Sequence, residues 1–187
     1  MWVYNDVLNK DDLKKLQNFV LTSKCPYQFS PTNLGETATK DGRPLPGHEN
    51  QFMFTHSFYR NKKERKNWHL VKPIYDYVVD KFKDEKYPVL ECLRAKANCY
   101  TNQHKHIDYG KHRDHDEWGP KELMLGVFSA NTNNGGTMVR GKLYPSIENQ
   151  LVLLDNIPHY GVTQTDEQIR VIINWNFIRL ITKEKFT

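Results

Sequence analysis

The sequence predicts a mainly β fold with flanking helices, of the α+β class: two packed sheets closed into a barrel, helices on one side. Strand-rich apolar runs follow one another from Pro88 onward, and helical periodicity is confined to the residues before it. Size agrees, since 187 residues with 12% aromatic side chains can bury a good core even though hydrophobic content is only 38%. The simplest organisation is a single domain over 1–187. Residues 1–87 supply helices and a variable loop that buttress a core barrel over 88–178.

Trp2–Tyr4 reads as a short strand. Asn9 or Asp11 can cap the helix after it, in which Leu13, Leu16, Phe19 and Val20 recur at helical spacing. Asp11 and Asp12 then sit in the first turn, where the helix dipole favours acids. From Cys25 to Asn50 periodicity is lost, and Pro and Gly punctuate polar residues. So long a loop is either a lid over a site or a surface insertion. Gln51–Tyr59 is an aromatic-rich strand holding His56, which reads as a packed or surface histidine and not a ligand. Pro73 suits the first turn of a second helix, with Ile74, Tyr77, Val78, Lys81 and Phe82 on one stripe. Pro88–Tyr100 begins the main sheet. There Leu93, Ala95, Ala97 and Cys99 alternate with Arg94, Lys96, Asn98 and Tyr100, one set facing helices and the other the barrel interior. Glu122–Ala130 is the next strand. Asn131–Thr137 reads as a turn, its adjacent glycines tolerating positive φ. Pro145–Asn149 reads as a loop and Gln150–Asp155 as a strand. His159 stands at a strand edge continued by Gly161–Thr163. Thr165–Glu167 turns the chain into a last apolar strand, Ile169–Phe177, and 181–187 is a ragged end.

A formal charge of +5 and a pI near 9.0 are basic but diffuse. Runs such as Asn61–Lys66 mix signs, as a solvated face does and a nucleic-acid arm does not. Cys25, Cys92 and Cys99 show no CxxC and no paired metal spacing. They read as small buried apolar residues in a reducing compartment. The N-terminus lacks the apolar core of a secretory signal, and no run approaches a membrane span. The expectation is a soluble cytoplasmic protein with neither nucleic-acid nor membrane partner; oligomeric state is unread.

Chemistry concentrates at His112-Arg113-Asp114. In extended backbone, residues two apart share a face, so an imidazole nitrogen and a carboxylate oxygen can reach one metal. A third ligand must come from elsewhere, and His159, in LDNIPHYGV, is best placed. Two His and one carboxylate on one face of an octahedral ion make the facial triad of non-heme Fe(II) sites, leaving the opposite face for a co-substrate and dioxygen. His106-Ile107-Asp108 is a second copy, and either pair alone also suits solvated loop residues. The next apolar strand begins sooner after Asp114, which favours the second pair, with His115 and Asp116 beside it or at the surface. Arg170 lies among Ile and Val, where an unpaired guanidinium is costly. Its planar fork suits a carboxylate, either a ligand's or that of an internal Asp or Glu. Asn98 and Tyr100 share an interior face as ligand contacts or core anchors, and Asn174, four residues past Arg170, can join them.

The order His112, Asp114, NTNNGGT, His159, Arg170, within Leu93–Phe177, resembles the 2-oxoglutarate-dependent Fe(II) oxygenases. The likeness is strongest to the prolyl-4-hydroxylase-like type found in phage and marine microbial genomes. The histidine-rich lead-in HKHIDYG also resembles that family's and again favours His112 and Asp114. The resemblance implies a double-stranded β-helix, the jelly-roll barrel shared with cupins. It implies Fe(II) on His112, Asp114 and His159, with O2 and 2-oxoglutarate as co-substrates and ascorbate as an optional reductant. Arg170 would clamp the far carboxylate of 2-oxoglutarate, and Tyr100, Asn98 and Asn174 would contact it. The implied reaction hydroxylates a C–H bond of peptidyl proline, another protein side chain or a small molecule, releasing succinate and CO2. Gly136 would leave room for substrate, and Trp118 would either border the mouth or simply pack. The same three ligands holding zinc or manganese would also serve a cupin-like hydrolase or isomerase. That enzyme would not need Arg170 and would recruit a base such as Asp108 or Asp116. A nucleic-acid-binding module is suggested by charge alone.

Overall fold

The computed structural model describes residues 1–31, 39, 41, 43–115 and 117–179. Strand β1 (Trp2–Tyr4) leads into helix α1 (Lys10–Val20). Asn9 caps α1, its side-chain oxygen accepting from the Asp12 N–H at 2.9 Å, and Leu16 and Val20 face inward. Strands β2 (Gln28–Ser30) and β3 (Met53–Arg60) pair antiparallel. The aperiodic stretch Cys25–Asn50 therefore contains a strand; of the lid or surface insertion expected there, 32–38, 40 and 42 lie outside the described residues. Then come β4 (Lys63–Glu64), a 3-10 turn at Trp68–Leu70, and α2 (Lys72–Phe82). Pro73 occupies the first turn of α2, Ile74, Val78 and Phe82 are buried, and Lys81 is exposed.

The remaining strands are β5 (Val89–Thr101), β6 (Leu123–Ser129), β7 (Asn133–Val139), β8 (Lys142–Ser146), β9 (Gln150–Asp155), β10 (His159–Val162) and β11 (Ile169–Arg179). A large sheet runs β1-β9-β6-β11-β5-β3-β2, with β4 on β3, and a small sheet runs β10-β7-β8. Isolated antiparallel bridges from Asp108 to Val162 and from His112 to His159 lay the segment after β5 along the free edge of β10. This is the jelly-roll arrangement of a double-stranded β-helix. The helices cover the outer face of the large sheet: Leu16, Val20, Val78 and Phe82 share one core with Ala95, Ala97, Val171, Ile173 and Trp175. The interior has two further clusters, one around Tyr100, Tyr109 and Ile172 and one around Leu125, Val139 and Leu154.

Three expectations are corrected. Asn131–Thr137 is not a turn, because Asn133 onward forms β7. Its glycines serve close approach and not positive φ: a methyl on Gly136 would collide with the Tyr144 carbonyl, and one on Gly135 would stand 2.8 Å from the Val162 carbonyl. Positive φ occurs instead at Arg140 (50°) and Gly141 (77°), which join β7 to β8 as a two-residue hairpin with Val139 opposite Lys142. Pro145 and Ser146 are not loop but the end of β8. Leu93 leaves the alternation of β5. A bulge sets Asn176 opposite Arg94 and Phe177 opposite Cys92, so the register skips Leu93. Cys92 thereby joins the helix-side core, and Leu93 packs with the Leu125 cluster. All three cysteines are buried and free. Among the described residues, no helix is long and apolar enough to cross a membrane.

Candidate active site

The main chain brings the two histidines together. His112 and His159 face each other across the small-sheet edge, each N–H donating to the other's carbonyl at 3.0 Å. Their rings stand 4.7 Å apart, centre to centre. In each, Nδ1 meets a carbonyl two residues back: Gly110 O at 2.8 Å from His112 and Ile157 O at 3.0 Å from His159. A carbonyl only accepts, so Nδ1 carries the proton and Nε2 of the neutral ring presents its lone pair.

Asp114 sits two residues past His112, with the Oδ1 of its carboxylate 3.5 Å from His112 Nε2. Its Oδ2 accepts from Arg94 Nη2 at 2.7 Å and from Asn176 Nδ2 at 2.8 Å. One oxygen is thus anchored and the other directed at the histidines. The ligand atoms of His112, Asp114 and His159 lie within 4.8 Å of one another. Two imidazoles and a carboxylate, without thiolate, suit iron, manganese, cobalt or zinc. Burial opposes the Asp114 charge, but the bond it would accept from a protonated His112, the charges of Arg94 and His159 and the bond from Asn176 outweigh it, holding the carboxyl well below the usual carboxylate range. Burial also opposes the His112 cation, yet the bond that a protonated Nε2 would donate to Asp114 and the bond from Nδ1 to Gly110 raise its pKa overall. His159 is lowered by burial and by the His112 charge. The rival pair lies elsewhere. His106 and Asp108 are exposed, and the His106 ring bonds the Thr163 carbonyl at 2.7 Å. Asp116 is outside the described residues.

The register of β5 against β11 lays out the rest of the site. Tyr100 faces Arg170, Asn98 faces Ile172, Lys96 faces Asn174 and Arg94 faces Asn176. Alternation turns all four rows inward. Tyr100, Asn98, Lys96, Asn174 and Arg94 line a cavity of about 300 Å³ together with His112, Asp114 and His159. The part played by Arg94 and Asn176 is absent from the sequence reading, although both lie on faces already read as interior. Trp118 packs against the Leu125 cluster and is not in the cavity wall, and the space expected beside Gly136 is filled by β8.

Arg170 is 1% exposed. Its Nε donates to Ser146 Oγ at 2.8 Å, Nη2 reaches Thr137 Oγ1 at 3.5 Å, and the guanidinium stands 5.1 Å from the centre of the Tyr100 ring. Nη1 is buried without a partner, and no described carboxylate pairs with the group. Burial lowers its pKa, with Tyr100 opposing. Tyr100 Oη accepts from Asn98 Nδ2 at 3.2 Å. The remaining wall here is Gly161, where a methyl group would lie 3.8 Å from both Arg170 Nη1 and Tyr100 Oη. Sequence reasoning missed Gly161; its only signal was a glycine inside a strand two residues past His159. The internal-acid alternative for Arg170 is not realised among the described residues, and a cation so placed suits an incoming carboxylate.

No family model matches the sequence, and no curated protein matches it significantly. Solved structures do resemble the fold. One is a prolyl hydroxylase from Trichoplax adhaerens in complex with a hypoxia inducible factor oxygen degradation domain peptide fragment. It has 13% identity and a TM-score of 0.62 over 95% of this chain and 83% of that one. A second is the viral collagen prolyl hydroxylase of Paramecium Bursaria Chlorella virus-1, with 12% identity and a TM-score of 0.57 over 96% and 90%. A third is an oxidoreductase of the 2OG-Fe(II) oxygenase family from Burkholderia pseudomallei, with 9% identity and a TM-score of 0.59 over 93% and 82%. At these identities the likeness is one of fold.

Proposed function

We propose that this chain is a 2-oxoglutarate- and Fe(II)-dependent dioxygenase that hydroxylates a C–H bond of a peptide or small molecule, releasing succinate and CO2. The observation that carries the reading is Arg170, a buried guanidinium with a donor to spare and no described acid, behind the cavity that holds the His112, Asp114 and His159 cluster. A dicarboxylate answers both features, one end at the metal and the other at Arg170.

His112, Asp114 and His159 would hold Fe(II), which, loaded with the 2-oxo acid and O2, supplies the oxidising power for C–H hydroxylation. The chain's own residues bind and orient. Arg94 and Asn176 hold Asp114 Oδ2 and leave Oδ1 as the ligand. Tyr100, Asn98 and Thr137 surround the distal carboxylate's seat, and Met53, Val127 and Ile172 give the cavity an apolar wall that limits water. The fold shared with prolyl hydroxylases makes peptidyl proline the first substrate to try.

The test has two stages. Without oxygen, the Fe(II)-loaded protein should bind 2-oxoglutarate with the visible charge-transfer absorption of a chelated 2-oxo acid. With oxygen and ascorbate, it should release succinate, faster with a proline-containing peptide or another member of a substrate panel. H112A and D114A should abolish both signals. Failure of the metal-loaded protein to bind 2-oxoglutarate, with no succinate formed, would overturn the reading and favour a hydrolase or isomerase on the same ligands.

A further inference from the structure

Lys96 has no role in metal or co-substrate binding as proposed above, yet its side chain lines the same cavity. It stands one row from Arg94 along β5, directly across from Asn174 on β11. None of the hydrogen bonds or ion pairs among described residues involves the Lys96 ammonium or the Asn174 amide. Asn174 Oδ1 is buried without a partner. Among the described residues the Lys96 ammonium is thus without an acceptor, and Asn174, across from it, presents a buried amide oxygen without a donor.

Charge says what kind of acceptor. Among the described residues, Asp114 is the only acid in the cavity wall, against Arg94 and Lys96. A divalent metal would be balanced by Asp114 and the 2-oxo carboxylate, and Arg170 by the distal carboxylate. Among the described residues, Arg94 and Lys96 then remain as positive charge without a further acid to balance them. Arg94 is already committed to Asp114 at 2.7 Å. Lys96 is not committed to any described residue, and burying such a cation is costly unless an anion arrives.

On the oxygenase reading, we infer that Lys96 is the seat for a carboxylate of the substrate being hydroxylated, with Asn174 Oδ1 accepting from an N–H of the same molecule, so that the substrate is a carboxylic acid: a free amino acid or a peptide presenting an acidic or terminal carboxylate. The ammonium supplies the charge, and Asn174 Oδ1 accepts a second, directional bond from an amine or amide N–H near that carboxylate. The seat shares one cavity with the metal ligands and stands one row from the Asp114 anchors Arg94 and Asn176, so a carboxylate held there would keep the neighbouring carbons of the acid in the metal's cavity.

The experiment uses the full chain loaded with zinc and the inert co-substrate analogue N-oxalylglycine. Ligand-observed NMR then measures binding of a panel of free L-amino acids and short proline-containing peptides, each beside its carboxamide. Acids should bind and their amides should not. K96Q should weaken the acids about tenfold or more, as loss of a charged hydrogen bond does. K96R should retain most of the affinity, and N174A should fall between them. Affinity for 2-oxoglutarate on the zinc protein should change less than twofold in K96Q. Equal binding of amides, binding of no acid in the panel, or a K96Q defect confined to 2-oxoglutarate would overturn the inference, the last showing that the co-substrate takes this lysine. Failure of the wild-type zinc protein to bind 2-oxoglutarate at all would instead sink the oxygenase reading.

Discussion

Arg170 is where binding and stability should come apart. Methionine preserves the length and apolar stem of the side chain but removes the buried charge. R170M should cost roughly ten- to a hundredfold in 2-oxoglutarate affinity, the worth of a charged hydrogen-bonded contact. The ligand-free protein should melt no lower than wild type, because an unpaired buried cation is a burden that methionine lifts. Titration calorimetry on the manganese-loaded protein and a thermal melt check the two halves, and a large fall in melting temperature would mean that Arg170 holds the fold through Ser146 and Thr137. Gly161 makes a graded companion. A methyl there would meet Arg170 Nη1 and Tyr100 Oη at 3.8 Å, an ordinary contact, so G161A should be mild. G161L should fill the seat and abolish 2-oxoglutarate binding while leaving manganese affinity intact.

Strands β7 and β3 carry the element-scale expectations. The glycines of β7 let it lie tight against β8 and β10, and a methyl at Gly136 has backbone in its way. G136A should destabilise by about 1–3 kcal/mol, as overpacking does, read by urea titration. Strand β3 packs His56 edge-on against Phe19 at 5.4 Å and Phe58 at 4.9 Å, where α1 crosses the sheet. Its Nε2 is buried without a partner, and burial lowers its pKa below 6.5, with a bond to Pro26 opposing. Since the folded pKa is the lower one, the unfolded chain takes up the proton first. Stability from this group is full above 6.5 and falls as acid passes through the unfolded and then the folded value. H56F should flatten that part of the stability-against-pH curve, and an unchanged acid limb would show that His56 does not cause it.

Across the whole molecule, the site joins the two sheets. Arg170, Tyr100, Arg94 and Asn176 stand on β5 and β11 of the large sheet, while His159 and the His112–Asp114 segment belong to the small sheet and its edge. Ligands that bridge them stabilise only the closed barrel. Manganese with 2-oxoglutarate should therefore raise the melting temperature more than manganese alone, the increment growing with ligand to about 2.7 kcal/mol at a hundredfold excess over Kd. In R170M the metal increment should remain and the 2-oxoglutarate increment disappear, as differential scanning fluorimetry would show.

Much of this architecture was legible from local pattern. The stripes of α1 and α2, the inward faces of β5 and β11, the His-x-Asp spacing and an arginine among β-branched residues are properties of single segments, and alternation or helical period reports them directly. Other features were not: whether Arg170 finds an internal acid, that Arg94 and Asn176 anchor Asp114, why β7 needs its glycines, and how the skip at Leu93 moves Cys92 to the helix side. Each depends on the register between strands distant in sequence. Register is set by the summed packing of the core, so one chain segment cannot announce its partner, and only the closed barrel decides which side chains meet.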